Sequence, residues 1–254
     1  MMTTSSNPGS FLSDYAALLL RSGATCVRLE KNVQRIADAW GISCTVTIMP
    51  RHIHLAVTDS NGHCNTFITP SGKSLISYNL ITRLSKLSWN IADSKLSLAQ
   101  ASALLENVKT TRCANPWWTL FAVACANSSF CRLFGGDFAA MAVVFIATLA
   151  GYYLKQTMLG YKFDVRATFI ACATVSSILS TGALLFSIGN TPEVAIATSV
   201  LYLVPGIPFI NAFTDMIDGH YICFFCRMTD AVMLTCCLSL GLCIGMKLMN
   251  VGMF

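Results

Sequence analysis

Charge is what this chain has least of. Only 11% of its 254 residues are Asp, Glu, Lys or Arg, against roughly 25% in an average soluble domain. That excludes an ordinary cytosolic enzyme. A hydrophobic fraction of 54% excludes a disordered chain, which is poor in apolar residues. Met1 to Ser10 hold neither a basic stretch nor an apolar one, so no cleavable signal is expected. A secreted disulfide framework is also missing. Eight of the twelve cysteines (Cys125, Cys131, Cys172, Cys223, Cys226, Cys236, Cys237 and Cys243) lie in apolar stretches, where thiols behave as small hydrophobes. Cys223-Phe224-Phe225-Cys226 has redox spacing, without the electropositive, accessible setting that reactive thiols need.

What charge there is lies unevenly. Residues 1–112 hold 11 of the 17 basic and 6 of the 12 acidic residues, so the whole net charge of +5 falls there, while 113–254 hold 6 of each. A basic, water-soluble front is joined to a neutral, apolar back. The composition is that of a membrane protein.

In the front, residues 11–40 show one helical period, from Leu12 and Tyr15 to Ile36 and Trp40, with Gly41 as a stop. The period then becomes two. Cys44, Val46 and Ile48 alternate with polar residues, and Ile53, Leu55 and Val57 do the same. Asn61-Gly62 signals a hairpin turn into a third strand near 64–69. Helices are expected at about 74–92 and 97–111, the second opened by a Ser97-x-x-Gln100 capping box. Residues 1–112 therefore form a small α+β domain with no evident catalytic constellation.

Three local features invite stronger readings and do not sustain them. His52-x-His54, with His63 and Cys64, is short of the three or four ligands at fixed geometry that a metal requires. Pro70-Ser71-Gly72-Lys73-Ser74 resembles the end of a phosphate loop, but Phe67 stands where the loop needs glycine. The basic excess has no dense Lys/Arg stripe with interleaved aromatics, so nucleic acid is not expected. No metal and no cofactor is expected.

From Trp117 onward, apolar segments at 117–134, 137–154, 167–188, 193–217 and 221–247 approach the roughly 20 residues a bilayer core requires. The first is interrupted by Asn127, Ser128, Ser129 and Arg132. Lys109 and Arg112 precede it, and Lys155, Lys162 and Arg166 crowd the loop after the second. The positive-inside rule places these in the cytoplasm, with the amino end inside and the carboxyl end outside. The fold expected is thus an all-α membrane domain of about five helices (113–254) behind a cytoplasmic α+β domain.

The most informative segment runs from Val204 to Gly219. Pro205, Gly206 and Pro208 are expected to interrupt a helix, and broken helices in membranes line protein or a wet cavity. Asn211 and Asp215 follow, four apart and on one face, with Gly219 a turn later and Arg227 and Asp230 beyond. Ionisable residues within a membrane mark a pathway or site. A kink with its polar groups paired to other helices is the plainer alternative.

Together these features resemble the threonine/serine exporter family, over roughly residues 12–250. Leu18-Leu19-Leu20-Arg21-Ser22-Gly23-Ala24, with Arg28, Glu30 and Arg35, is similar to its first cytoplasmic helix. Phe134-Gly135-Gly136-Asp137 resembles its first inter-span turn, which makes Asp137 a further candidate beside Asp230. Pro205-Gly206-x-Pro208-x-x-Asn211-x-x-x-Asp215-x-x-x-Gly219 with Arg227 resembles its most specific motif.

The resemblance implies a secondary exporter, not an enzyme, in the cell (inner) membrane. Full-length members carry two five-span blocks, and one is present here. That matches the split branch, in which a small multi-span subunit supplies the second block; a homo-oligomer is the other way to complete it. The implied substrate is a small carboxylate, either a succinate-like dicarboxylate or threonine/serine. Its carboxylate is expected at amides just after Pro208, at Asn211 and at Arg227, whose planar fork suits carboxylates. Asp215 takes the ammonium or the coupling proton. An accessory or scaffolding membrane protein is the alternative.

Overall fold

The computed structural model describes residues 7–58, 63–72, 76–110, 115–186 and 189–250. The chain divides into two compact units, Met1–Arg112 with Ile207–Met228, and Cys113–Gly206 with Thr229–Phe254.

The first unit opens with α1 (Pro8–Arg21), capped by the Asn7 side chain. The single helical period over 11–40 is in fact carried by two helices. Gly23 takes φ +84°, and the Gly23 and Ala24 amides donate back to Leu20 and Leu19, a left-handed glycine stop. The chain then re-enters helix as α2 (Cys26–Ala39). Both helices bury their apolar faces in one core, so the period passes through the break without marking it. The strands fall where alternation placed them, β1 (Ser43–Ile48), β2 (His52–Thr58) and β3 (Cys64–Pro70). They form an antiparallel sheet in that order, Val46 opposite Leu55 and Leu55 opposite Phe67. The Asn61-Gly62 turn lies outside the described residues, as do Lys73 and Ser74.

Helix α3 (Tyr78–Ser94) starts at its cap Ser77, later than periodicity suggests, and α4 (Leu98–Lys109) carries the expected Ser97–Gln100 capping box with both halves formed. Phe11, Tyr15, Leu29, Ile36, Ile53, Leu55, Leu84 and Ile91 are fully buried in one core. The Tyr15 hydroxyl donates to the Leu84 carbonyl at 2.9 Å, and burial pushes its phenol well above the usual range.

The second unit is built from α5 (Pro116–Leu133), α6 (Phe138–Gly160), α7 (Val165–Leu185) and α8 (Pro192–Ser199), with a 3₁₀ turn at Leu201–Leu203. Two later helices cross the division. Helix α9 (Gly206–Ile217) lies in the first unit from Ile207, and α10 (Tyr221–Leu248) in the second from Thr229. Helices α6, α7 and α10 are long and apolar enough to span a membrane, and Pro192–Leu203 with Gly206–Ile217 makes a fourth if the broken pair is one span. Among the described residues these are the candidates. Helix α5 falls short because Asn127, Ser128, Ser129 and Arg132 interrupt its 18 residues. Helices α7 and α10 meet through small residues, with Thr174 and Ser177 hydroxyls donating to the Gly241 and Leu242 carbonyls at 3.1 and 3.0 Å. Such residues let backbones approach where lipid supplies no hydrophobic drive.

Candidate functional site

The segment from Pro205 to Gly219 begins at a real break, but a narrower one than its three helix breakers suggest. Only Val204 and Pro205 leave the helical conformation between the 3₁₀ turn and α9. Gly206 starts α9, and Pro208 sits in its first turn, where no intrahelical donor is required. The Gly206 amide already donates to the Val204 carbonyl at 2.8 Å and Pro208 has none, so the first-turn amide without an intrahelical acceptor is that of Ile207, before Pro208 and not just after it. Gly219 ends α9 with φ +84°. The Gly219 and His220 amides donate to the Met216 and Asp215 carbonyls. Gly219 is a helix stop, and its exposure leaves it outside the cluster that follows.

Asn211 and Asp215 share one face of α9, and Arg227 reaches the same place from α10. All three meet the turn between α1 and α2. Asn211 Nδ2 donates to the Gly23 carbonyl at 2.9 Å, and Arg227 Nη2 to the Ala24 carbonyl at 2.7 Å. Asp215 Oδ1 accepts from the Cys26 amide at 2.9 Å. Cys26 is the first residue of α2, and its N-cap Thr25 makes no side-chain cap bond. Asp215 caps that helix from elsewhere in the chain, with the charge that a helix N-terminus favours.

Asp215 is fully buried, and its Oδ2 stands 3.3 Å from Arg227 Nη1. Among the described residues neither atom has a hydrogen-bond partner. Charge holds the pair; alignment does not. Around it, His220 Nε2 lies 3.5 Å from Glu30 Oε1. Cys223 Sγ donates to the Ile48 carbonyl at 3.6 Å. The hydrogen bond from Cys26 to Cys223, and then burial, push the Cys26 thiol far above its usual range.

The remaining candidates do other things. Asp137 caps α6, Oδ1 accepting from the Ala140 amide at 2.7 Å and Oδ2 from the Asn190 amide at 2.6 Å. It fastens the loop before α6 to the loop before α8. Asp230 is exposed. His52 and His54 lie opposite Pro70 and Ile68 in the sheet, and among the described residues no group of three His, Cys, Asp or Glu could hold a metal. Nothing in the sequence places the α1–α2 turn against Asn211, Asp215 and Arg227, although Gly23 is a readable signal for a left-handed stop.

The threonine/serine exporter family, ThrE, matches residues 10–249. The "Probable succinate transporter subunit YjjP" of Klebsiella aerogenes is 26% identical over 92% of this chain and 90% of its own. Its namesake from Escherichia coli K12 is 26% identical over 89% of this chain and 87% of its own. The "Probable threonine/serine exporter" of Mycobacterium tuberculosis is 22% identical over 91% of this chain but only 44% of its own length. No solved structure matches.

Proposed function

Since the chain belongs to the threonine/serine exporter family, we propose that it is one subunit of a secondary exporter in the cell membrane, moving a small carboxylate outward. The cargo is a succinate-like dicarboxylate or threonine/serine. The observation that carries a transport site is the buried Asp215–Arg227 pair at 3.3 Å, with Asn211 beside it and the Pro205–Gly206–Pro208 break at the head of the same helix. Asn211 and Arg227 offer donors to anionic oxygens, and Asp215 offers an acceptor to an ammonium or a coupling proton. In this conformation the α1–α2 turn fills those positions with two carbonyls and one amide. Substrate takes the turn's place.

The finer arrangement follows the basic residues. Five spans, with α5 as the first and the broken pair as the fourth, put residues 1–112 and the 161–164 loop in the cytoplasm and the chain end outside. Carriers that alternate between two sides bring two structural repeats together, and this chain supplies one. A small multi-span subunit supplies the other, in keeping with relatives named as subunits; a homo-oligomer is the alternative.

Purified chain in liposomes should move neither succinate nor threonine until the partner is added. Robust flux from the monomer would reject the half-transporter reading. The accessory, scaffolding reading is favoured by one observation, that Asn211, Asp215 and Arg227 are all engaged by the chain's own backbone. Cellular efflux, measured per folded molecule, separates the two. Asp215→Asn abolishes it in an exporter and leaves it unchanged in a scaffold.

A further inference from the structure

Lys155, in the second unit, is a cation without an acid. It stands on α6, and among the described residues no carboxylate lies within ion-pair distance of it. Its ammonium instead faces two rings, 5.2 Å from the centroid of Phe169 and 5.6 Å from that of Tyr152. Phe169 belongs to the buried centre of the unit. A lysine that only reached for the membrane surface would extend its head toward water; this one lies on rings packed at the helix interface. Arg227, the cation the motif singles out, already has the Ala24 carbonyl and the Asp215 carboxylate. Lys155 has no such partner among the described residues.

The same face of α6 continues the polar character inward. Residues 148, 151 and 155 line up by helical spacing, over about 10 Å at 1.5 Å per residue. At Gly151 the missing side chain admits two hydroxyls. Tyr202 Oη and Ser176 Oγ lie 2.9 Å apart, and a Cβ added at Gly151 would stand 2.0 and 2.3 Å from them. A turn further, the buried Thr148 hydroxyl accepts from Asn127 Nδ2 at 2.7 Å. Ammonium, hydroxyl pair and hydroxyl–amide pair follow one another along a single helix face in an otherwise apolar span. Ionisable and polar groups inside a membrane mark such paths.

We propose that Lys155 is a carboxylate-binding point on the export path, with Tyr202 and Ser176 as the next polar contacts inward. The ligand is the anionic carboxylate of the exported metabolite, and the proposal rests on the exporter reading above. A lipid phosphate offers the same chemistry, so the test has two lipid arms. Binding of radiolabelled succinate and of threonine is measured on the full chain in nanodiscs of phosphatidylcholine alone and with phosphatidylglycerol. The wild-type chain is compared with Lys155→Gln and Lys155→Arg.

In neutral discs, Lys155→Gln should weaken succinate binding about tenfold or more, as loss of a charged hydrogen bond does. Lys155→Arg should stay within about threefold of the wild-type chain, since it keeps charge and donors. That rescue separates binding from folding. Equal affinity in the wild-type chain and Lys155→Gln overturns the proposal, as does no binding of either ligand by the wild-type chain. An effect confined to phosphatidylglycerol discs assigns the lysine to a headgroup and overturns it too. A chain that binds through Lys155 yet supports no cellular efflux with its partner subunit present keeps this site and loses the exporter reading.

Discussion

Asp215 divides its two oxygens between a helix end and a guanidinium, so its substitutions should grade. Asp215→Asn keeps an oxygen for the Cys26 amide but removes the charge facing Arg227. Breaking a buried pair from one side costs on the order of 3 kcal/mol. Asp215→Ala removes the cap as well, worth about another 1 kcal/mol. Thermal unfolding of the purified chain should order them wild type, then Asn, then Ala; equal midpoints for the two variants would mean the Cys26 amide needs no acceptor. At this scale the sequence was half legible. The four-residue spacing of Asn211 and Asp215 shows that they share a face, and Arg227 is readable as an intramembrane charge. Their partners were not readable, because Gly23, Ala24 and Cys26 lie 188, 203 and 189 residues away along the chain. No local period encodes a contact of that separation.

Among the helices, two glycines separate packing from transport. A Cβ at Gly241 would stand 2.5 Å from the Ile170 carbonyl oxygen, a backbone atom that has little room to yield. Gly241→Ala should lower stability by about 1–3 kcal/mol through overpacking, seen as a lower melting midpoint in detergent. Gly206 has open space around its missing Cβ and is not among the glycines with positive φ, so alanine fits its backbone. Gly206→Ala should therefore fold at least as well as the wild-type chain, so any efflux defect in it belongs to the transport cycle. A clear drop in its midpoint would contradict that. Element identity was largely legible, since strands, capping box and apolar helices each announce themselves by period or cap. Element boundaries were less so. The α1–α2 break hides inside a continuous apolar period, and Pro208 looks like a breaker although it sits where a helix tolerates proline.

For the whole molecule, membrane topology is the open measurement, because three helices or four satisfy length and composition while the basic loops argue for five spans. Reporter fusions after Arg112 and Lys162 should read inside, and those after Gly189 and Phe254 outside. An inside reading at Phe254 would take α5 out of the membrane. Composition alone divides the chain near residue 112, where charge gives way to apolar runs. It does not show that Ile207–Met228 groups with the front, because that segment is as apolar as its neighbours and its destination rests on Asn211, Asp215, Cys223 and Arg227. This division has a consequence in time. A ribosome finishes the first 112 residues long before it reaches 207, and at about 5–20 residues per second the interval is roughly 5–20 s. Throughout that wait α2 has no cap at Cys26, and the core lacks Cys223. The first part of the chain to be made is among the last to be completed, and a nascent chain stalled between 112 and 207 holds an amino-terminal unit still waiting for its final piece.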